Sequence, residues 1–235
     1  MKFTTPLLRG TLVKRYKRFL SDITLENGEE VTAHCANSGS MMGLKEPGYG
    51  VWLSQSDNPK RKLKYSWELV DTGSALVGIN TSHPNKIVAE AIQNGEIDAL
   101  KGYDTLRPEV KYGENSRIDI LLQSDGKADC YVEVKNVTLS REEGIAEFPD
   151  AVTARGTKHL KELANMVANG ARATMFYLVQ RDDCHKFRLA KDIDPAYREA
   201  YLEARAAGVE VLCYDCTLSP EEIRVNRAIP VVEEE

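Results

Sequence analysis

Apolar and polar positions alternate most cleanly between Arg117 and Val137. In Arg117–Leu122, Ile118, Ile120 and Leu122 fall on one face and Asp119 on the other. In Cys130–Val137, Cys130, Val132 and Val134 share a face opposite Tyr131, Glu133 and Lys135. Alternation with period two marks half-buried strands, and Ser124-Asp125-Gly126 between them is turn chemistry. The stretch predicts a hairpin in which Glu133 and Lys135 point the same way. Asp119 stands opposite Glu133 only if the connecting loop has an odd number of residues or a bulge. An even, regular loop centred on Asp125-Gly126 turns the two acids to opposite faces.

Toward the N-terminus the apolar runs are shorter and more frequent. Thr11–Arg18, Phe19–Leu25, Val31–Cys35, Val51–Gln55 and Trp67–Val70 read as strands, with Glu26-Asn27-Gly28-Glu29 as a hairpin turn. Ala36–Gly39 is a polar loop and Gly48-Tyr49-Gly50 another turn. Five short strands in about 70 residues suggest a small closed barrel of the OB type. Such barrels bind nucleic acid by stacking bases on exposed aromatic rings beside cations. Lys14-Arg15-Tyr16-Lys17-Arg18 and Lys60-Arg61-Lys62-Leu63-Lys64 supply the cations, and Trp52, Tyr65 and Trp67 lie close to the second cluster. Trp52 is expected in the barrel core. Tyr65 with Lys60, Arg61, Lys62 and Lys64, together with Arg15, Lys17 and Arg18, forms the expected contact surface.

After a connector over Thr72–Ser82 the period changes to that of helices. Pro84 suits a first helical position, Ile87, Val88, Ala91 and Ile92 make a stripe, and Gly95 stops it. Glu90 lies at the flank of that stripe. In metal-dependent nucleases the helix before such a hairpin often supplies a further acid, which makes Glu90 a candidate. Residues 141–154 are mixed, with Phe148-Pro149-Asp150 as a break. A second helix opens at Gly156-Thr157, carries Leu160, Leu163, Ala164 and Val167 on one stripe and closes at Asn169-Gly170. Lys158 falls in its first turn, against the helix dipole, which suggests a nearby anion. His159 is read as structural. Ala173–Val179 is nearly continuous apolar sequence, as in a strand covered on both faces. The helix Pro195–Ala207 and the strand Val209–Tyr214 complete a β-α-β-α-β progression. The fold class is α/β with mixed elements: a barrel over 1–80 and a second unit over 81–235 with a central mixed sheet. The acidic tail, Val231–Glu235, is expected to fray.

Composition narrows the function less than pattern does. The 235 residues are 42% hydrophobic and 29% charged, with a formal net charge of −5. No apolar run reaches the length of a membrane span, and the first residues lack the apolar core of a secretory signal. The five cysteines include one Cys-x-x-Cys, Cys213 to Cys216, with no second pair at zinc spacing. Reduced thiols in the cytoplasm are the expectation. Charge is uneven: residues 1–80 hold 11 Lys/Arg against 8 Asp/Glu, and the rest 20 against 28. A nucleic-acid binder needs only its phosphate-facing surface to be basic.

An acid, a turn, then acid-x-lysine is the pattern of metal-dependent phosphodiesterases. Two hard carboxylates, Asp119 and Glu133, suit Mg²⁺ or Mn²⁺, which polarises a phosphate oxygen and acidifies a bound water. Lys135 can orient that water or meet the charge developing on phosphorus. Opposed carboxylates repel without a cation between them.

These segments together resemble the sugar fermentation stimulation protein A family of bacteria and archaea. The resemblance runs through Arg15-Tyr16-Lys17-Arg18-Phe19, His34–Gly39, Ser56-Asp57-Asn58, Val110-Lys111-Tyr112-Gly113 and Ser116-Arg117-Ile118-Asp119. It continues in Tyr131–Lys135 and Phe148–Thr153, and so covers essentially the whole chain. It implies an OB-like N-terminal domain followed by a restriction-endonuclease-like α/β/α domain of the PD-(D/E)xK type. It also implies non-specific DNA binding, single- or double-stranded, and a regulatory link to sugar (maltose) metabolism. Carried across, the nuclease positions fall on Asp119, Glu133 and Lys135, with Glu90 and Lys158 as further members. The alternative is a catalytically silent DNA-binding regulator. The oligomeric state is left open, a homodimer among the options.

Overall fold

The computed structural model describes residues 1–113 and 116–232. The acidic tail expected to fray lies, from residue 233 on, outside the described residues. The first unit is a closed five-stranded barrel: β1 (Leu8–Tyr16), β2 (Leu20–Leu25), β3 (Glu30–Cys35), β4 (Gly50–Gln55) and β5 (Tyr65–Asp71), with a short β6 (Leu76–Gly78) on β5. Its order is β3-β2-β1-β4-β5, and a parallel pairing of β3 with β5 closes the ring. Inward residues alternate along each strand, so Ile23, Leu25, Ala33, Cys35, Val51 and Leu53 fill the interior. Trp67 is fully buried there and donates its indole N–H to the Leu69 carbonyl at 2.8 Å. Trp52 was expected in this core and is not. Between the inward Val51 and Leu53 it must point outward. There it lies half-buried against the core of the second unit, with the Arg9 guanidinium 5.7 Å from the ring centroid.

The second unit begins with α1 (Pro84–Gln93), a short 3₁₀ turn (Asp98–Leu100) and then β7 (Thr105–Tyr112), β8 (Ser116–Gln123) and β9 (Cys130–Val137). A small sheet follows, β10 (Leu139–Glu142) beside β11 (Ile145–Phe148), which pairs with the later β13 (Lys186–Leu189). The remaining elements are α2 (Ala154–Ala168), β12 (Arg172–Val179), α3 (Pro195–Ala206), β14 (Glu210–Leu218) and β15 (Ile223–Ala228). The main sheet runs β15-β14-β12-β9-β8-β7. Its centre, β9-β12-β14, is parallel, and both edges are antiparallel. β12, buried from Ala173 to Val179, is the covered central strand that its apolar run predicts. One core packs α2 and α3 on one face; the other packs α1 on the opposite face, joined by Met1, Leu7 and Leu69. The architecture is an OB barrel followed by a restriction-endonuclease-like α/β/α layer structure.

Two local expectations are corrected. Helix α2 starts at Ala154, not Gly156, because the Thr153 hydroxyl caps it by accepting from the Gly156 N–H at 3.0 Å. Lys158 is therefore in the second turn, beyond the reach of the dipole argument. On β8, Ile118 packs in the α2/α3 core while Ile120 and Leu122 pack in the α1 core. The alternation breaks at Asp119, where pairing to β9 stops after Ile120. Among the described residues no helix is long and apolar enough to cross a membrane, and the five cysteines are buried and unpaired.

Candidate functional site

The β8–β9 hairpin pairs Ile120 with Val132, Leu121 with Tyr131 and Leu122 with Cys130. Residues 123–129 lie between the last pair, an odd loop, with Gly126 in the left-handed region at φ 76°. Continuing the register by one step sets Asp119 across from Glu133. Beyond Ile120 the strands part, and the Val134 N–H donates to Asp119 Oδ2 at 2.8 Å instead of to a backbone carbonyl. The second oxygen, Oδ1, accepts from Asn85 Nδ2 at 2.8 Å. Burial, and then the charge of Glu133, push the Asp119 carboxyl up to about 6.

Glu133 is 2% exposed at its side chain, and its two oxygens differ. Oε1 accepts from Lys135 Nζ at 2.7 Å and meets His159 Nδ1. Oε2 is buried with no partner among the described residues. Burial raises the Glu133 carboxyl, but His159 and Lys135 outweigh it and hold it below the usual range. Arg155 Nε donates to His159 Nε2 at 3.3 Å, which leaves Nδ1 as the protonated nitrogen facing Glu133. These side chains line one depression of about 340 Å³, together with Thr81, Pro84, Glu109 and Asn136. Glu109 holds a left-handed backbone at φ 54°, unusual for a non-glycine residue. Its β7 neighbours Pro108 and Val110 pair with Ile120 and Ile118, so it lies level with Asp119.

The donor set fits a hard divalent cation. Two carboxylates line one depression, and one of their oxygens is buried without a partner among the described residues. Among the described residues no three carboxylate, imidazole or thiol groups converge to hold a metal unaided. One or two protein carboxylates, with water and substrate phosphate completing the shell, is the ordinary arrangement for Mg²⁺.

The five expected chemical residues divide. Asp119, Glu133 and Lys135 come together. Glu90 does not: it is 46% exposed at its side chain and meets the Met1 amino group at 3.2 Å. It lies five positions along the helix from Asn85, which turns it about 140° away at 3.6 residues per turn. Lys158 also stays outside, with Nζ 3.6 Å from Glu162 on its own helix. From these two helices it is Asn85, Arg155 and His159 that reach the site, and sequence reasoning took His159 as structural. Its position in the first turns of the helix after Glu-x-Lys was the available signal.

The basic residues divide similarly. Arg15 is spent on structure: its guanidinium donates to the carbonyls of Arg18, Asn37 and Gly39 at 2.7–3.1 Å. Arg61 donates to Ser66 Oγ at 2.9 Å. Lys17, Arg18, Lys60, Lys62 and Lys64 are exposed, and Tyr65 lies half-buried against the barrel core.

Known proteins of the same architecture bear on this geometry. The family described as "Sugar fermentation stimulation protein RE domain" matches residues 82–222, and "SfsA N-terminal OB domain" matches 13–79. A sugar fermentation stimulation protein homolog of Paramagnetospirillum magneticum is 58% identical over 95% of this chain and 94% of its own. One from Maricaulis maris is 56% identical over 98% of each. The solved structure of Pyrococcus furiosus SfsA in complex with Ca²⁺ superposes with a TM-score of 0.89. It is 25% identical, covering 99% of this chain and 98% of that one.

The Asp119 carboxyl, raised from the ordinary value of about 3.9, binds its proton more tightly in the folded chain than in the unfolded one. By linkage its contribution to stability is full below about pH 4 and is lost as pH rises through 6. In chelator-treated buffer, the stability of Asp119→Asn relative to wild type is expected to rise by about 2 kcal/mol between pH 4 and pH 8. That figure takes ~1.36 kcal/mol per unit, reduced for partial exposure. Urea denaturation reads the change, and a difference between the two proteins that does not move with pH contradicts the assignment.

Proposed function

The chain belongs to the sugar fermentation stimulation protein family, and from that premise we propose that it is a DNA-binding, metal-dependent phosphodiesterase. One observation carries the reading: Asp119, Glu133 and Lys135 line one depression, and Glu133 Oε2 is buried without a partner among the described residues. The Ca²⁺ bound by the Pyrococcus furiosus relative supports a divalent cation in this family, and Mg²⁺ or Mn²⁺ is the ion proposed here. In this division of labour residues 1–80 hold DNA without sequence preference and residues 81–235 carry the chemistry.

A cation held by Asp119 and Glu133 would supply Lewis acidity to a phosphate oxygen and acidify a water. The protein's own groups do the rest. Asn85 and the Val134 N–H fix both oxygens of Asp119, so it offers its remaining lone pairs at a set angle. His159, oriented by Arg155, fixes Glu133 Oε1 and leaves Oε2 to face a ligand. The Lys135 ammonium, 2.7 Å from Glu133, is within reach of an attacking water and of charge gathering on phosphorus. The Arg155 guanidinium, free at its terminal nitrogens among the described residues, faces the same depression and suits a phosphate.

A catalytically silent DNA-binding regulator is the competing reading. Its support is that Lys135 and His159 already neutralise Glu133 without a metal. Incubation of circular DNA with Mn²⁺ separates the two. Nicking or linearisation by wild type is expected, with Lys135→Ala slower by about 10²–10³-fold, the usual cost of removing a charge-stabilising donor. Intact DNA with every divalent ion tried leaves the silent reading standing.

DNA affinity is expected to fall steeply with salt. Replacing Lys60, Lys62 and Lys64 by alanine should flatten the log–log slope by about 0.9 per lost phosphate contact on a duplex. An unchanged slope moves the contact face elsewhere on the molecule.

A further inference from the structure

The depression holding Asp119 and Glu133 does not end there. Thr81 and Asn136 on its wall are also the wall of a second cavity of about 350 Å³, between the barrel and the end of β11. Its two sides are the loop 37–39 from the barrel and, from the second unit, the end of β11 with the loop 149–153 that follows it. Both loops are held firmly. Arg15 ties together the Asn37 and Gly39 carbonyls. Asp150 Oδ2 accepts from Ser40 Oγ at 3.2 Å and from the Met41 N–H at 3.4 Å, across the two units. A side chain on Gly39 would run into Asp150, its Cβ standing 2.5 Å from Oδ2. The Thr153 N–H is fixed by Asp194 at 2.7 Å. The cavity is thus preformed.

Its lining has two characters. Leu139, Phe148, Pro149 and Val152 give apolar walls, and Val152, at 76% exposed, is the most exposed large apolar side chain among the described residues. Asn136 and Thr138 give a polar edge. Gln180 Nε2 donates to Asn136 Oδ1 at 2.6 Å, which turns the Asn136 amide N–H₂ away from Gln180. Neither that amide nor the Thr138 hydroxyl has a partner among the described residues. Arg18 and the exposed Ser38 also line it, and the two acids in its walls are already engaged, Glu147 with Arg141 and Arg188 and Asp150 with Ser40 and the Met41 N–H. Apolar faces with a short edge of hydrogen-bonding groups are what a single nucleobase requires, and a volume near the lower end of small-molecule sites, ~300–1,000 Å³, admits one base and not a pair.

We propose that this cavity receives one unpaired nucleotide of the DNA strand whose phosphate lies at Asp119 and Glu133, so that the protein prefers DNA with an unstacked base. The base sits between Phe148-Pro149 and Val152 with its edge on Asn136 and Thr138, and Arg18 meets the neighbouring phosphate. An enzyme acting next to such a site gains selectivity because an already unpaired base costs least to displace. The proposal rests on DNA being the ligand of the Asp119–Glu133 site, but its test needs no turnover.

The test is fluorescence anisotropy of the full chain in Ca²⁺ with three labelled duplexes of one sequence: fully paired, carrying one unpaired nucleotide, and carrying an abasic residue at that bulge. The unpaired nucleotide should bind roughly tenfold tighter than the paired duplex, the scale of one stacked base. The abasic bulge should lose that gain, and Ser38→Trp, which fills the mouth from an exposed position, should bring the bulged duplex down to the affinity of the paired one. Equal affinity for all three duplexes overturns the proposal. So does an abasic bulge that binds as well as the intact one, since flexibility alone then explains the preference, or a preference that survives in Ser38→Trp. A protein that cuts DNA yet shows no preference loses only this inference; one that shows the preference and never cuts loses only the enzymatic reading.

Discussion

Two carboxylates facing one another across neighbouring strands repel, and the repulsion grows as water is removed. Asp119 and Glu133 are in that position on the central sheet, and the protein resolves it only halfway. Glu133 is compensated by Lys135 and His159, whereas Asp119 keeps a raised affinity for its proton. One buried Glu133 oxygen is left without a partner among the described residues. A structure tuned for stability alone has no reason to keep this arrangement, since an amide at either position removes the repulsion. The unsettled charge is what the fold is arranged to present.

The surrounding architecture makes that arrangement rigid. β9 is paired with β12 along its whole length, so Glu133 and Lys135 project from a strand held by its parallel neighbour even where β8 has parted from it. Helices from opposite faces then complete the site, α1 through Asn85 and α2 through Arg155 and His159. The barrel is locked on by direct bonds. Thr81 N–H donates to the Ala36 carbonyl, Gly78 N–H to the Gln180 carbonyl, and Leu76 N–H to Asp182 Oδ1, each at 2.9 Å. The groove between the two units is therefore fixed in shape, and the chemical depression opens directly into it.

How much of this could be read from the sequence follows from which signals are local. Period-two alternation exposed the shared face of Glu133 and Lys135, and the parity of the 123–129 loop decided Asp119. The parallel core β9-β12-β14 was legible because its strands are apolar and separated by periodic helices. β7 escaped notice because it is an edge strand: Pro108 interrupts it and most of its residues face solvent. β6, β10, β11 and β13, with three or four residues each, carry too little pattern to count. Glu90 and Lys158 were misplaced by helical phase. A stripe tells which side of a helix is buried but not which end of that side meets a given strand. His159 was undervalued because its partner, Glu133, lies 26 positions away and becomes its neighbour only after α2 folds back onto the sheet.

The account's central claim is that Asp119 and Glu133 together hold one divalent cation, and titration calorimetry with Mn²⁺ addresses it most directly. The account predicts a single site per chain, lost in Glu133→Gln although the variant stays folded. A wild-type chain that takes up no Mn²⁺, or a Glu133→Gln chain that binds it equally well, would contradict the claim.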